Sequence, residues 1–246
     1  MNYVNSPSAG QPYAQQPPAP VFSLRNARLG LRTENRALLE IEEFTLLPGE
    51  RVVVTGPSGA GKSLLLSMIT GHWAPGLEFS GTRIAGSPRI GCIPQRDQDA
   101  LHPLLPLGRQ LRKATGASAQ QVASTLDAVG LGDPSLLARR PAELSGGQAQ
   151  RAAIALAVLS EAPVIIADEP TSALDDRSRD LVLDLLGTVL DERQALVLST
   201  HDAAAARALA TRHLDLDSGK IASASPSPHP SPSPSASAPR GERVPA

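Results

Sequence analysis

Between the apolar run Arg51-Val52-Val53-Val54-Thr55 and a helical pattern that opens at Leu64 lies Gly56-Pro57-Ser58-Gly59-Ala60-Gly61-Lys62-Ser63. It matches G-x4-G-K-[ST] in the strand-then-helix context the motif requires. No other segment constrains the fold as much, because a glycine-rich loop joining a buried strand directly to a helix is a feature of α/β sheets. Glycines let the backbone curl until its N–H groups point inward, and the helix behind adds the partial positive charge of its N-terminus, so the loop is suited to hold a phosphate. Lys62 then reaches the β and γ phosphates of a nucleoside triphosphate, and the Ser63 hydroxyl ligates the Mg²⁺ that bridges them. Gly56, Pro57, Ser58, Gly59, Ala60, Gly61, Lys62, Ser63 and the following Leu64 are the expected nucleotide contacts.

The rest of the chain supports an α/β reading. Val164-Ile165-Ile166-Ala167-Asp168 and Ala195 to Thr200 are further short apolar runs without a polar face, as in strands covered on both sides. Helical stretches at Lys62 to Thr70, Gln148 to Leu159, Arg177 to Leu190 and Ala203 to Ala210 alternate with them. Before the main sheet, the Leu39, Ile41 alternation and Phe44-Thr45-Leu46, closed by Pro48-Gly49, predict a small antiparallel layer. Pro103 to Arg140, with Leu104, Leu107, Leu111 and Leu126, reads as a helical lobe. Residues 1–20 carry five prolines among Gln, Ser and Ala, and residues 223–246 are largely a Ser-Pro-Ala alternation; both are expected to be disordered. One folded unit over residues 21–222 remains, with a helical subdomain over about residues 97–150.

Composition excludes several function classes. The 23 basic residues against 24 acidic ones give a net charge of -1, which argues against a broad electrostatic grip on nucleic acid, and 2% aromatic residues leave no base-stacking platform. No basic start leads into an apolar stretch, and the most apolar neighbourhood, Ala152 to Ala167, is broken by Ser160, Glu161 and Pro163. A cytosolic chain that meets a membrane only through a partner is expected. The single Cys92 allows no internal disulfide and no CxxC pair, and is expected to be a small core residue. His72, His102, His213 and His229 belong to no motif.

Four further features carry chemistry. Asp168 and Glu169 are adjacent carboxylates at the end of a buried strand, where they repel each other and resist desolvation; beside a divalent cation they are natural. Leu144-Ser145-Gly146-Gly147-Gln148 precedes a helix, and taken alone it could be a helix-starting turn capped by Ser145. His201, alone, reads as an ordinary helix-flanking histidine, and Gln95, after Ile93-Pro94, as a solvated loop residue.

Taken together and in order, the phosphate loop, Gln95, Leu144-Ser145-Gly146-Gly147-Gln148, Ile166-Ala167-Asp168-Glu169-Pro170, Ser172-Ala173-Leu174-Asp175 and His201 resemble the ATPase subunits of ABC transporters, over about Val21 to Ala222. That resemblance implies a P-loop NTPase (RecA-like) α/β core with a small antiparallel β layer and a helical subdomain. It implies ATP hydrolysis with Mg²⁺, coupled to transport. By the same resemblance Asp168 holds the Mg²⁺ shell with Ser63 and Gln95, and Glu169 polarises the attacking water. Gln95 senses the γ phosphate and relays it to a membrane partner, while His201 contacts that phosphate. Ser145, Gly146, Gly147 and Gln148 are implied to cover the ATP of a second ATP-binding subunit, identical or not. The partners implied are that subunit, transmembrane permease subunits and a solute-binding protein, with no nucleic acid, and the location is cytoplasmic, peripheral on the inner face of the cell membrane. Within the family, Gln95 to Leu105 and Ile166 to Asp175 are similar to the dipeptide, oligopeptide and nickel importer branch, although the C-terminal extension frequent in that branch is missing. Two departures stand out: Leu64 where a Thr is more usual, and no aromatic residue between Leu24 and Leu39 to stack on adenine, a place left to Leu31 or Arg32. A soluble ATPase of the same fold and the regulatory half of an unequal heterodimer are the alternative readings.

Overall fold

Alternating burial starts the fold. In the computed structural model, which describes residues 18–34, 36–172, 174–202 and 209–226 apart from the side chains of Asp97 and Gln98, strands β1 (Phe22–Leu31) and β2 (Ala37–Leu46) pair antiparallel with Leu24 opposite Phe44 and Leu29 opposite Leu39. All four side chains are buried, while Arg25–Glu43 and Arg28–Glu40 form ion pairs on the solvated face. Then come β3 (Arg51–Thr55), α1 (Lys62–Thr70), β4 (Leu77–Ala85), β5 (Ile90–Ile93) and the short α2 (Asp97–Ala100). The helical lobe follows as α3 (Leu107–Thr115), α4 (Ala119–Ala128) and two 3₁₀ turns at Pro134–Ala138 and Pro141–Glu143. The remaining elements are α5 (Gly146–Leu159), β6 (Val164–Asp168), α6 (Asp176–Val189), β7 (Ala195–Ser199), β8 (Arg212–Asp217) and β9 (Lys220–Pro226).

All nine strands share one sheet in the order β4-β1-β2-β9-β8-β3-β7-β6-β5. From β8 to β5 every neighbour is parallel, with β3 between β8 and β7, and this is the α/β core; β4, β1 and β2 form the antiparallel layer. The period of two explains why the core strands are apolar throughout. Val52, Val54, Val164, Ile166 and Val197 pack on one side with Leu65, Met68 and Ile69 of α1, whereas Val53, Ile165, Leu196 and Leu198 pack on the other with α5, α6 and the helical lobe. Burying each of those α1 side chains stabilises the chain by about 1.5–3 kcal/mol, which fixes the helix behind the glycine-rich loop. Among the described residues no helix is long and apolar enough to cross a membrane.

Two expectations need correction. Cys92 lies on β5 at the outer edge of the sheet and is exposed, not a core residue, because its strand-mates Gly91 and Ile93 take the inward positions. The folded unit does not stop at Ala222: β9 pairs with β8 as far as Pro226, opposite Arg212. Composition hid this, since Ser and Ala suffice where backbone pairing rather than a side-chain core holds the strand. Strands β1, β4, β5, β8 and β9 also extend the sheet beyond the runs read from the sequence. The helix expected over Ala203 to Ala210 falls mostly outside the described residues, as do residues 1–17, residues 227–246 and His229.

Candidate functional site

The C-terminal ends of β3, β6 and β7 lie side by side, where open α/β sheets place their ligands. At the end of β3 the chain enters the glycine-rich loop with φ 141° at Gly56, 80° at Gly59 and 108° at Gly61, which side-chain-bearing residues rarely adopt. A Cβ on Gly56 would collide with the Leu216 carbonyl oxygen, and one on Gly61 would come within 3.2 Å of Leu39 Cδ1. The loop is held by Ala60 N donating to Pro57 O at 3.1 Å and by Gly219 N donating to Ala60 O at 3.1 Å. No side chain caps α1, and its first turn holds no acidic residue, so the N–H groups and positive end of this helix face the curl of the loop.

Lys62 Nζ donates to Gly56 O at 2.8 Å and to Pro57 O at 3.3 Å, and lies 4.0 Å from Glu169 Oε1. Ser63 Oγ donates to Asp168 Oδ2 at 3.4 Å, and the other Asp168 oxygen accepts from Ser199 Oγ at 2.5 Å. Glu169 has a left-handed backbone, φ 44°, fixed by N–H donation to Ser199 O at 3.0 Å and Ser199 Oγ at 3.1 Å. His201 Nδ1 stands 3.5 Å from Glu169 Oε2. Lys62, Ser63, Asp168, Glu169 and His201, far apart in sequence, are thus brought together. Asp168 and Glu169 coexist because each has its own partner, a hydroxyl pair for the first and Lys62 with His201 for the second.

The other candidates stand apart from that cluster. Gln95 is exposed and donates to Ser172 Oγ at 3.4 Å, with no bond to Ser63 or Asp168. Ser145 caps α5 in a capping box: its Oγ accepts from Gln148 N at 3.3 Å, and Gln148 Oε1 accepts from Ser145 N at 2.9 Å. A Cβ added to Gly146 or Gly147 would meet nothing within 4 Å, so this turn presents open backbone. Leu64 packs partly buried against the core on the α1 side. Leu31, 36% exposed, closes β1, and Arg32 N donates to Gly76 O. Two residues escaped the sequence reading. Ser199 was hidden in an apolar strand, where a fully buried hydroxyl is the available signal; Gln150, within α5, gives none without the fold.

These side chains fit a magnesium nucleotide. The curl at Gly56 is one that a Cβ would block, Lys62 brings a cation to its rim, and Ser63 with Asp168 supplies hard oxygen donors. Among the described residues no cluster of three or more His, Cys, Asp or Glu could hold a metal without further ligands. Mg²⁺ takes one or two protein ligands and completes its shell from phosphates and water.

Comparison with known proteins agrees with this chemistry. Residues 39–172 match the family described as ABC transporter. The thiamine import ATP-binding protein ThiQ of Salmonella choleraesuis is 36% identical over 197 residues, covering 71% of this chain and 79% of that protein. Its namesake in Yersinia pestis is also 36% identical, over 199 residues, 73% of this chain and 80% of that one. Among solved structures, the dimeric structure of MJ0796, a bacterial ABC transporter cassette, superposes with TM-score 0.68 and 26% identity over 83% of this chain and 98% of that chain. A post-hydrolysis dimer of the same cassette bound to ADP and Pi gives 0.66 at 25% identity over the same shares. The structure of cbiO1 from Clostridium perfringens, part of the ABC transporter complex cbiONQ, shares the fold with TM-score 0.69 at 20% identity, over 83% of this chain and 88% of that chain.

Proposed function

Since the chain belongs to the ABC transporter family of ATP-binding subunits, which bind ATP with Mg²⁺ and hydrolyse it, we propose that it is the energy-coupling subunit of an importer for a small solute. The observation that carries this reading is the pairing of Ser63 with Asp168 beside a Glu169 carboxylate set between Lys62 and His201. ATP closes two such subunits on each other, and hydrolysis lets them part; this cycle moves the transmembrane permease subunits to which they are attached at the inner face of the membrane.

In this mechanism the loop amides from Gly56 to Ser63 and the bare N-terminus of α1 grip the phosphates, and Lys62 leaves its carbonyl partners to neutralise the β and γ oxygens. Ser63 and Asp168 would hold Mg²⁺, which would supply charge neutralisation to the phosphate oxygens. Glu169, its backbone fixed by Ser199, orients the attacking water and takes up its proton. His201 braces Glu169 and contacts the γ phosphate. Gln95, now on Ser172, would join Ser63 and Asp168 in holding Mg²⁺ and carries the change on closure to the permease. The Ser145-Gly146-Gly147 turn with Gln148 starts a second helix, capped at Ser145 but with the backbone of Gly146 and Gly147 open to an anion, and it covers the ATP of the opposing subunit. Leu64 stands near the α phosphate, and either Leu31 or Arg32 takes the place beside adenine.

Cargo is proposed only as a small solute delivered through a solute-binding protein. Relatives named for thiamine import support a small organic molecule, while the run from Gln95 to Leu105 resembles importers of peptides and nickel. The test is Glu169→Gln. On size-exclusion chromatography with Mg·ATP this variant elutes as a dimer and without nucleotide as a monomer; a monomer at saturating Mg·ATP overturns the reading. Co-purification of permease subunits on the tagged chain tests the transport half.

A further inference from the structure

We infer that Gln150 is a positioning residue that ties the Ser145-Gly146-Gly147 turn to Glu169 within one subunit, so that gripping the opposing nucleotide also aligns the carboxylate at the subunit's own site. This rests on the function proposed above. Gln150 lies in the second turn of α5, about 7–8 Å along the helix from Ser145 at ~1.5 Å per residue. Only 4% exposed, its Nε2 donates to Pro170 O at 2.5 Å, and Pro170 is the residue after Glu169.

Packing does not call for an amide here. The neighbouring buried residues Ala149, Ala152 and Ala153 are small and apolar, and a buried amide is costly unless its bonds are made. What the amide does is hold a turn. Ser172 N donates to Glu169 O at 3.1 Å, closing the four residues from Glu169 to Ser172. Beside the ion pairs of Lys62 and His201 with the Glu169 carboxylate, three parts of the fold hydrogen-bond to this turn: β7 through Ser199 on Glu169 N, the loop after β5 through Gln95 on Ser172 Oγ, and α5 through Gln150 on Pro170 O. Of the three, only α5 begins with the open glycine turn. Glu169 sits in a left-handed conformation that its surroundings must enforce, so release of one bond lets its carboxylate drift from the attacking position.

The experiment compares Gln150→Met, which keeps length and packing but has no donor, with Gln150→Asn, which keeps the amide one methylene short and serves where the first variant does not fold. Steady-state ATPase of the purified full chain is expected to lose at least tenfold in kcat, with the Kd for Mg·ATP within twofold of the parent. In a Glu169→Gln background, adding either change leaves single-turnover hydrolysis within twofold of Glu169→Gln alone, because the residue to be positioned is gone. The inference is overturned by a kcat within twofold of the parent, by a Kd that worsens as much as kcat falls, or by an equal loss in both backgrounds. An unsubstituted chain that does not bind Mg·ATP overturns the proposed function itself; an active chain with unaffected variants overturns this inference alone.

Discussion

Gly56 and Gly59 share a positive φ but not a neighbourhood, and the difference separates strain from collision. A methyl on Gly56 runs into the Leu216 carbonyl oxygen, so Gly56→Ala must push β8 from β3, at a cost of about 1–3 kcal/mol on top of the backbone strain. Around Gly59 nothing lies within 4 Å, and Gly59→Ala is expected to cost only the left-handed strain, about 1–2 kcal/mol. Urea unfolding of the two variants should rank them in that order, and an equal loss would contradict the contact argument. Acid stability is set by another residue. Asp191 accepts from Arg193 N at 2.7 Å and from Arg193 Nη2 at 2.8 Å, and with Arg51 also near, its carboxyl is drawn from 3.8 down to about 2. A depressed carboxylate stabilises the fold above its unfolded value, so this contribution is present above about pH 4 and lost as pH falls toward 2. With a half-exposed side chain it amounts to no more than about 1 kcal/mol. Asp191→Asn should therefore be less stable than the parent at pH 7 and equal to it near pH 2, by urea titration at both.

At the scale of the element, α4 and α5 provide a matched pair. Ser118 and Ser145 each cap their helix in a capping box closed by a glutamine three residues on, Gln121 and Gln148. Ser118→Ala and Ser145→Ala are each expected to lower stability by about 1 kcal/mol. Only Ser145→Ala should also lower ATPase activity, by more than its share of unfolded protein, because only that helix end is assigned to a nucleotide. Equal activity in the two variants would reduce Ser145 to a cap. The elements also show what was legible in the sequence. The runs at β3, β6 and β7 could be read because both faces of each strand are covered, leaving no polar face. β4 has no buried residue at all, β5 spans four residues, and β9 is mostly small side chains, so none leaves a pattern. The same contrast divides the site. Lys62, Ser63, Asp168 and Glu169 announce themselves by spacing along one chain, whereas Ser199 and Gln150 matter only because the sheet register and helix packing set them against Asp168 and Pro170.

For the whole molecule, the joint between the antiparallel layer and the α/β core is β9. It lies between β2 and β8, meeting β2 at Glu40 and Lys220, where Glu40 N also donates to Gly219 O at 2.8 Å, and meeting β8 from Asp217 to Arg212. The hairpin of β8 and β9 backs the phosphate loop, since Leu216 O stands against Gly56 and Gly219 N donates to Ala60 O. A chain ending at Ala222, the boundary composition suggests, would lose Ser223 to Pro226 from the hairpin, and with them the 2.9 Å bond from Ser223 Oγ to Asp215 Oδ2. Such a chain is expected to melt at a lower temperature and bind Mg·ATP more weakly than one ending at Pro226, because the wall behind Gly56 and Ala60 is loosened. The Asp215 part of that difference belongs above about pH 4: Thr55 and Ser223 hold the carboxyl below its usual value, so the part they stabilise fades in acid. A chain ending at Pro226 should match the full-length protein in both measurements. If ending at Ala222 changes neither, the four residues are an ornament on the edge of β8, and the loop is held from β3 and α1 alone.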